Sequence, residues 1–186
     1  MCIRDRANIG AQETNCNNGI DDDGDGFIDC GDTECVGSIA CENAFSCENT
    51  LYQVISSSLK TLDPLKGTYE TVGTASSSYN GAGYNVQDGY IYGIRSGSNG
   101  ISLWKIDNSG TEEIVGSISG FKGRTYVGDF DENGNLYTYE NGSTPTLQFI
   151  DVNISPIRQQ EQELINQHGS SIPGVADITY LSLIHI

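Results

Sequence analysis

A mainly β fold is what this 186-residue sequence predicts: an incomplete β-propeller of about three four-stranded blades, preceded by a small cysteine-rich, acidic segment. Three observations carry that reading. Glycine (23 residues) and tyrosine (10) are abundant beside a single Met, a composition that suits short pleated strands joined by tight turns. Between Ala7 and Thr50 there is no Lys or Arg, whereas from Leu51 onward both charge signs occur and the text alternates polar with apolar. Finally, one phrase returns in register, Leu-x-x-(Leu/Ile)-Asp, at Leu59–Asp63, Leu103–Asp107 and Leu147–Asp151, a period of about 44 residues.

The first segment, residues 7–50, holds Cys16, Cys30, Cys35, Cys41 and Cys47. Crowded cysteines in a short, loop-rich stretch read as a disulfide framework formed in an oxidising compartment. Zinc is the weaker alternative, because no Cys-x-x-Cys occurs and dense carboxylates favour hard cations. Five is an odd number, so the connectivity stays open.

Within this segment, Asp21-Asp22-Asp23-Gly24-Asp25-Gly26-Phe27-Ile28-Asp29-Cys30-Gly31-Asp32 follows the template of a calcium-binding loop. Asp21, Asp23, Asp25, Asp29 and Asp32 stand at loop positions one, three, five, nine and twelve, and Phe27 offers its carbonyl at seven. Gly26 supplies the sharp turn, and Ile28 is the apolar residue behind it. Calcium suits the pattern because it takes six to eight hard oxygens, which alternate side chains of a tight loop bring to one point. Asp32 is shorter than the bidentate Glu of a sensor, and no amphipathic helix flanks the loop. The expected metal is therefore structural Ca2+ rather than a regulatory switch.

The second segment, residues 51–180, carries the repeat. A hydrophobic-Tyr pair precedes the phrase each time (Leu51-Tyr52, Ile91-Tyr92, Leu136-Tyr137). Inside one unit, Tyr90–Ile94, Leu103–Ile106 and Glu113–Val115 read as strands separated by turns, a meander. Asp131-Glu132-Asn133-Gly134 reads as a hairpin turn whose carboxylates shape the backbone rather than hold metal. Ser155-Pro156 followed by Ile157 to His168 and Gly169 has helix punctuation, so a short helix inserted between units is expected there. Ala176-Asp177-Ile178-Thr179-Tyr180 reads as the opening strand of a further unit. Residues 1–6 and 181–186 resemble translated sequencing adapters, and with Cys2 and His185 they are set aside from fold reasoning.

Charge excludes nucleic acid as a partner: 9 basic residues against 25 acidic ones leave a formal net charge of −16. No run of about 18 apolar residues marks a membrane span. Hydrolase and phosphate-loop signatures are missing, His168 stands where a helix would end, and Trp104 beside Leu103 reads as core.

In outline, Glu13 to Cys35 reads Glu-x-x-Cys-x-x-Gly-Ile-Asp-x-Asp-Gly-Asp-Gly-x-Ile-Asp-Cys-x-Asp-x-x-Cys, and this resembles the metal-binding repeat of the MopE-like family, related in style to thrombospondin type 3 and dockerin calcium loops. The resemblance implies calcium on Asp21, Asp23, Asp25, Asp29 and Asp32, with cysteines bracing the loop. Leu51 to Tyr180 is similar to bacterial extracellular propeller-like domains of unknown function. The functional expectation is a non-catalytic, secreted or cell-surface binding or structural module whose partners, besides calcium, are other surface proteins or glycans. The alternative is a piece of an extracellular propeller enzyme, a lyase or glycosidase, with its active residues elsewhere.

Overall fold

The computed structural model describes residues 12–45, 50–97, 100–121, 124–141, 146–152 and 158–163. Among them run eleven strands, β1 (Leu51–Ile55), β2 (Ser58–Asp63), β3 (Thr68–Thr74), β4 (Asn80–Asn85), β5 (Tyr90–Gly97), β6 (Gly100–Ile106), β7 (Glu112–Ile118), β8 (Arg124–Phe130), β9 (Asn135–Asn141), β10 (Thr146–Asp151) and β11 (Arg158–Glu163). They form three antiparallel sheets in the orders β1-β2-β3, β4-β5-β6-β7 and β8-β9-β10-β11, each a meander. Among the described residues before β1 are two short 3-10 helices, Asp29–Gly31 and Ile39–Cys41, within turns.

The repeated phrase explains how the sheets stack. Its two apolar positions are three apart, an odd spacing that puts them on opposite faces of one strand. Leu59 of β2 shares a core with Ile106 and Ile91 of the middle sheet, while Leu103 of β6 shares a second core with Ile150 and Leu136 of the third. At the two junctions between described sheets, the Leu of one unit thus meets the Ile of the following one: Leu59 with Ile106, and Leu103 with Ile150. Pairing follows the same register: Leu51 opposite Leu62, Ile91 opposite Ile106 and Leu136 opposite Ile150.

The unit-opening strands β4 and β8 lie against each other. A side chain on Gly128 would meet the backbone of Gly81, and one on Gly83 would reach Asp129 Cα at 3.1 Å, so backbones approach where only glycine leaves room. The first sheet has no counterpart of these two strands among the described residues.

One expectation is corrected. Arg158–Glu163, inside the stretch expected to be helical, is strand β11, paired with β10 across six positions from Thr146–Glu163 to Asp151–Arg158. An isolated helix of about a dozen residues is marginal, whereas the edge of β10 offers a ladder partner at every position. Ser-Pro punctuation is a weak local preference, and the ladder overrides it. The segment completes the third sheet instead of being an insertion. Ile157, residues 164–168 and the strand expected at 176–180 lie outside the described residues.

The acidic segment docks on the turns of the middle sheet. Gly31 N donates to Gln87 O at 3.0 Å, Phe45 N to Gly89 O at 2.8 Å and Asn108 N to Asn43 O at 3.0 Å. Asn108 Nδ2 donates to Glu42 O at 3.0 Å and Ala44 O at 2.8 Å, and the Phe45 ring, 3% exposed, enters the core beside Leu59. Gly31 is the tightest point, since a Cβ there would collide with the carbonyl oxygens of both Val86 and Gln87. Gly31→Ala is therefore expected to cost about 1–3 kcal/mol by forcing backbone apart. Hydrogen exchange should quicken across residues 29–45 while the three sheets keep their protection.

Candidate metal centre

The loop of residues 21–32 is held by its own carboxylates. Asp21 Oδ1 accepts from Gly24 N at 2.6 Å and its Oδ2 from Gly26 N at 2.9 Å; Asp23 Oδ1 accepts from Asp25 N at 3.0 Å, and Asp25 Oδ1 from Phe27 N at 2.9 Å. Gly24 and Gly26 both take positive φ, the turns that allow this winding. Two disulfides brace it, Cys16–Cys35 across the loop and Cys30–Cys41 behind it. Cys47 lies outside the described residues.

Two groups of carboxylate oxygens converge, each with all members within 4.8 Å of one another: Asp23, Asp25 and Asp32, and Glu13, Asp21 and Asp23. Asp23 belongs to both. Asp32 is the most enclosed at 1% exposure; its Oδ1 accepts from Glu34 N at 2.9 Å, and its Oδ2 is buried without a hydrogen-bond partner. A carboxylate with one oxygen buried and without a hydrogen-bond partner, grouped with two further carboxylates, is costly unless a cation lies among them. Burial, reinforced by the charges of Asp32, Asp23 and Asp21 and opposed by the Phe27 amide, raises the Asp25 pKa above the ordinary carboxylate value. Burial raises Glu13 likewise, against the two amides bonded to it. Hard, oxygen-only donors of this kind fit calcium.

Not every expected ligand joins a cluster. Asp29 turns to the preceding strand of chain, accepting Asn18 N at 2.8 Å on Oδ1 and Gly19 N at 2.9 Å on Oδ2, and so closes the loop rather than lining the site. Glu13 is the residue the loop template missed. It stands before position one, but its Oε2 accepts from Asp22 N at 2.9 Å, which brings it back over Asp21. The signal for it is the Glu that opens the Glu-x-x-Cys outline.

Two of the other candidates bond within the fold. Asp131 Oδ1 accepts from Asn133 N at 3.0 Å and Asn135 N at 2.8 Å, a turn former as expected. Trp104 donates Nε1 to Ser102 Oγ at 2.8 Å, and the Arg95 guanidinium stacks 4.0 Å above its ring. His168 lies outside the described residues. No described helix is long and apolar enough to cross a membrane.

The family described as a repeat of unknown function (DUF6923) matches residues 42–183, well over half of the chain, and the protein belongs to that family. The match starts at Glu42, just before the Asn43–Phe45 stretch that bonds to the sheets. No curated protein matches the chain.

Proposed function

We propose that this member of the repeat family is a non-catalytic, extracellular binding or structural module in which Ca2+ held by the acidic loop stiffens the entry to a β-propeller. The observation that carries the reading is the buried Asp32, whose Oδ2 has no hydrogen-bond partner, grouped with Asp23 and Asp25. Asp23, Asp25 and Asp32 would hold the ion, with Glu13 and Asp21 grouped around the shared Asp23. Calcium would supply the positive charge that these oxygens lack and nothing chemical beyond it. The carbonyl of Phe27 stays in the proposed ligand set as loop position seven.

The propeller reading is supported by meander sheets in repeat register, stacked face to face, with β4 against β8 as unit-opening strands would lie along an axis. The two disulfides support an oxidising compartment outside the cytoplasm.

Calorimetry on the full chain, stripped with chelator, tests the metal. The expected result is saturable calcium binding with a Kd of about 10⁻⁴ to 10⁻³ M, the range of extracellular modules, and weaker binding of magnesium, which demands stricter octahedral geometry. Absence of binding heat together with an unchanged melting temperature at about 10 mM calcium sinks the proposal.

A further inference from the structure

We infer that the turns of the middle sheet position Asp32 for calcium, so that docking of the acidic segment and metal binding strengthen each other; this rests on the proposed calcium site.

The three carboxylates of that site are held differently. Asp23 and Asp25 accept bonds from amides inside the loop, those of Asp25 and Phe27. Asp32 stands at the far end of the loop, directly after Gly31, where the segment meets the sheet. Gly31 N is shared between Ile28 O at 2.9 Å and Gln87 O at 3.0 Å, and a Cβ there would run into the carbonyl oxygens of Val86 and Gln87. The backbone leading into Asp32 is therefore seated on the β4–β5 turn. Nearby, Asp29 takes a φ of +46°, which a residue with a side chain keeps only where its surroundings over-determine it.

The seat is itself fixed. Gln87 N donates to Asn85 Oδ1 at 3.1 Å and Gly89 N to Asn85 O at 3.0 Å, with Asn85 fully buried. Gln87 Nε2 donates to Glu132 O at 2.6 Å, which ties this turn to the β8–β9 turn of the third sheet.

A second arm leaves the loop through Cys30. Its disulfide leads to Cys41, whose carbonyl accepts from Ala44 N at 3.0 Å, and so to Phe45 and its bond to Gly89 O. Both arms close on one glycine: a Cβ on Gly89 would lie 3.1 Å from Cys30 O and 3.2 Å from Ala44 Cβ. Residues 30–31 and 44–45 thus share a seat and leave it together.

Charge gives the seat its importance. Without metal, Asp32 is grouped with the like charges of Asp23 and Asp25, which favour its moving away, and the docked backbone opposes that. Calcium needs the three carboxylates together, so it binds the docked form better than a released one and shifts the chain toward docking. Coupling of this kind is reciprocal: whatever loosens the seat weakens the metal.

Hydrogen exchange on the full chain tests the coupling, with calorimetry on the same samples reporting calcium binding separately. The readouts are the amides of Phe45 and Asn108, which donate across the junction to Gly89 O and Asn43 O, and the amides of β9 and β10 serve as reference. For a coupling of about 5- to 150-fold, a hundredfold excess of calcium over Kd should slow Phe45 and Asn108 by about 5- to 60-fold beyond any change in the reference amides. Asn108→Ala removes the bonds to Glu42 O and Ala44 O and changes no atom of the loop. Without calcium it should speed exchange at Phe45 about tenfold while β9 and β10 keep their rates. An unchanged Phe45 rate in this variant means that no release precedes unfolding, and overturns the coupling. Calcium binding with Phe45 and Asn108 slowed no more than β9 and β10 also overturns it, and leaves the calcium site standing. Absence of binding heat overturns both.

Discussion

Asp32→Asn is expected to weaken calcium binding roughly 100-fold, about 2.7 kcal/mol, while making the metal-free protein more stable than the parent. The two effects share one cause. Asp32 Oδ2 is buried without a hydrogen-bond partner, and its carboxylate is grouped with those of Asp23 and Asp25. On the proposed function it would be a ligand in the presence of calcium; without calcium it lies among like charges. Asparagine keeps an oxygen for the bond from Glu34 N, now at 2.9 Å, and offers an amide that donates to the neighbouring carboxylates. Thermal melts with and without calcium check the pair of effects. The parent should gain stability as calcium rises past its Kd, by about 2.7 kcal/mol at a hundredfold excess over Kd. The variant should start higher and gain only about 0.4 kcal/mol at the same calcium concentration. If Asp32 were only a turn former, the variant would melt lower under both conditions.

The second large effect is expected at Arg95. Its guanidinium is stacked between Trp104 and Tyr79 and pairs with Glu112, with Arg95 and Glu112 side chains 8% and 17% exposed. Arg95→Met keeps the apolar stem but leaves the Glu112 carboxylate facing only Ser76, whose N and Oγ donate to it at 3.1 and 2.9 Å. Removing one partner of an enclosed ion pair costs about 3 kcal/mol, a fall in Tm of roughly 6–12 °C for a chain of this size. Burial alone would raise the Glu112 pKa, but the hydrogen bonds from Arg95 and Ser76 outweigh it and leave the group below its ordinary value of 4.5. A carboxyl with a lowered folded-state pKa stabilises the fold above its unfolded value, and that contribution disappears as pH falls through the folded value. Between about pH 6 and pH 3 the parent should therefore lose more stability than Glu112→Gln, with the two curves converging at the acid end.

How much of this was legible in the sequence depends on how local the cause is. The period and the Leu-x-x-(Leu/Ile) spacing are local, and they translate directly into which sheet each side chain faces. The bracing disulfides and the turn at Asp131 follow in the same way from residue type. The strand at Arg158–Glu163 was illegible because its cause is the edge of β10, a partner that no window around residue 160 contains. The candidate metal centre divides along the same line. Asp23, Asp25 and Asp32 come together as loop spacing dictates, but Asp29 is drawn off by the amides of Asn18 and Gly19, and Glu13 is brought in through Asp22 N. A loop template counts positions; it does not see which backbone donors compete for a carboxylate.

The docking of the acidic segment has a mechanical consequence. Tension applied from the N-terminal side meets the Gly31–Gln87, Phe45–Gly89 and Asn108 hydrogen bonds on the turns of the middle sheet before it reaches β1. The first sheet, whose β1 follows this anchor in the chain, is shielded from pulling until those bonds rupture. The two disulfides, the loop they brace and the anchor thus form an inextensible tether, and extension begins only when the tether peels from the turns at 86–89 and 107–110.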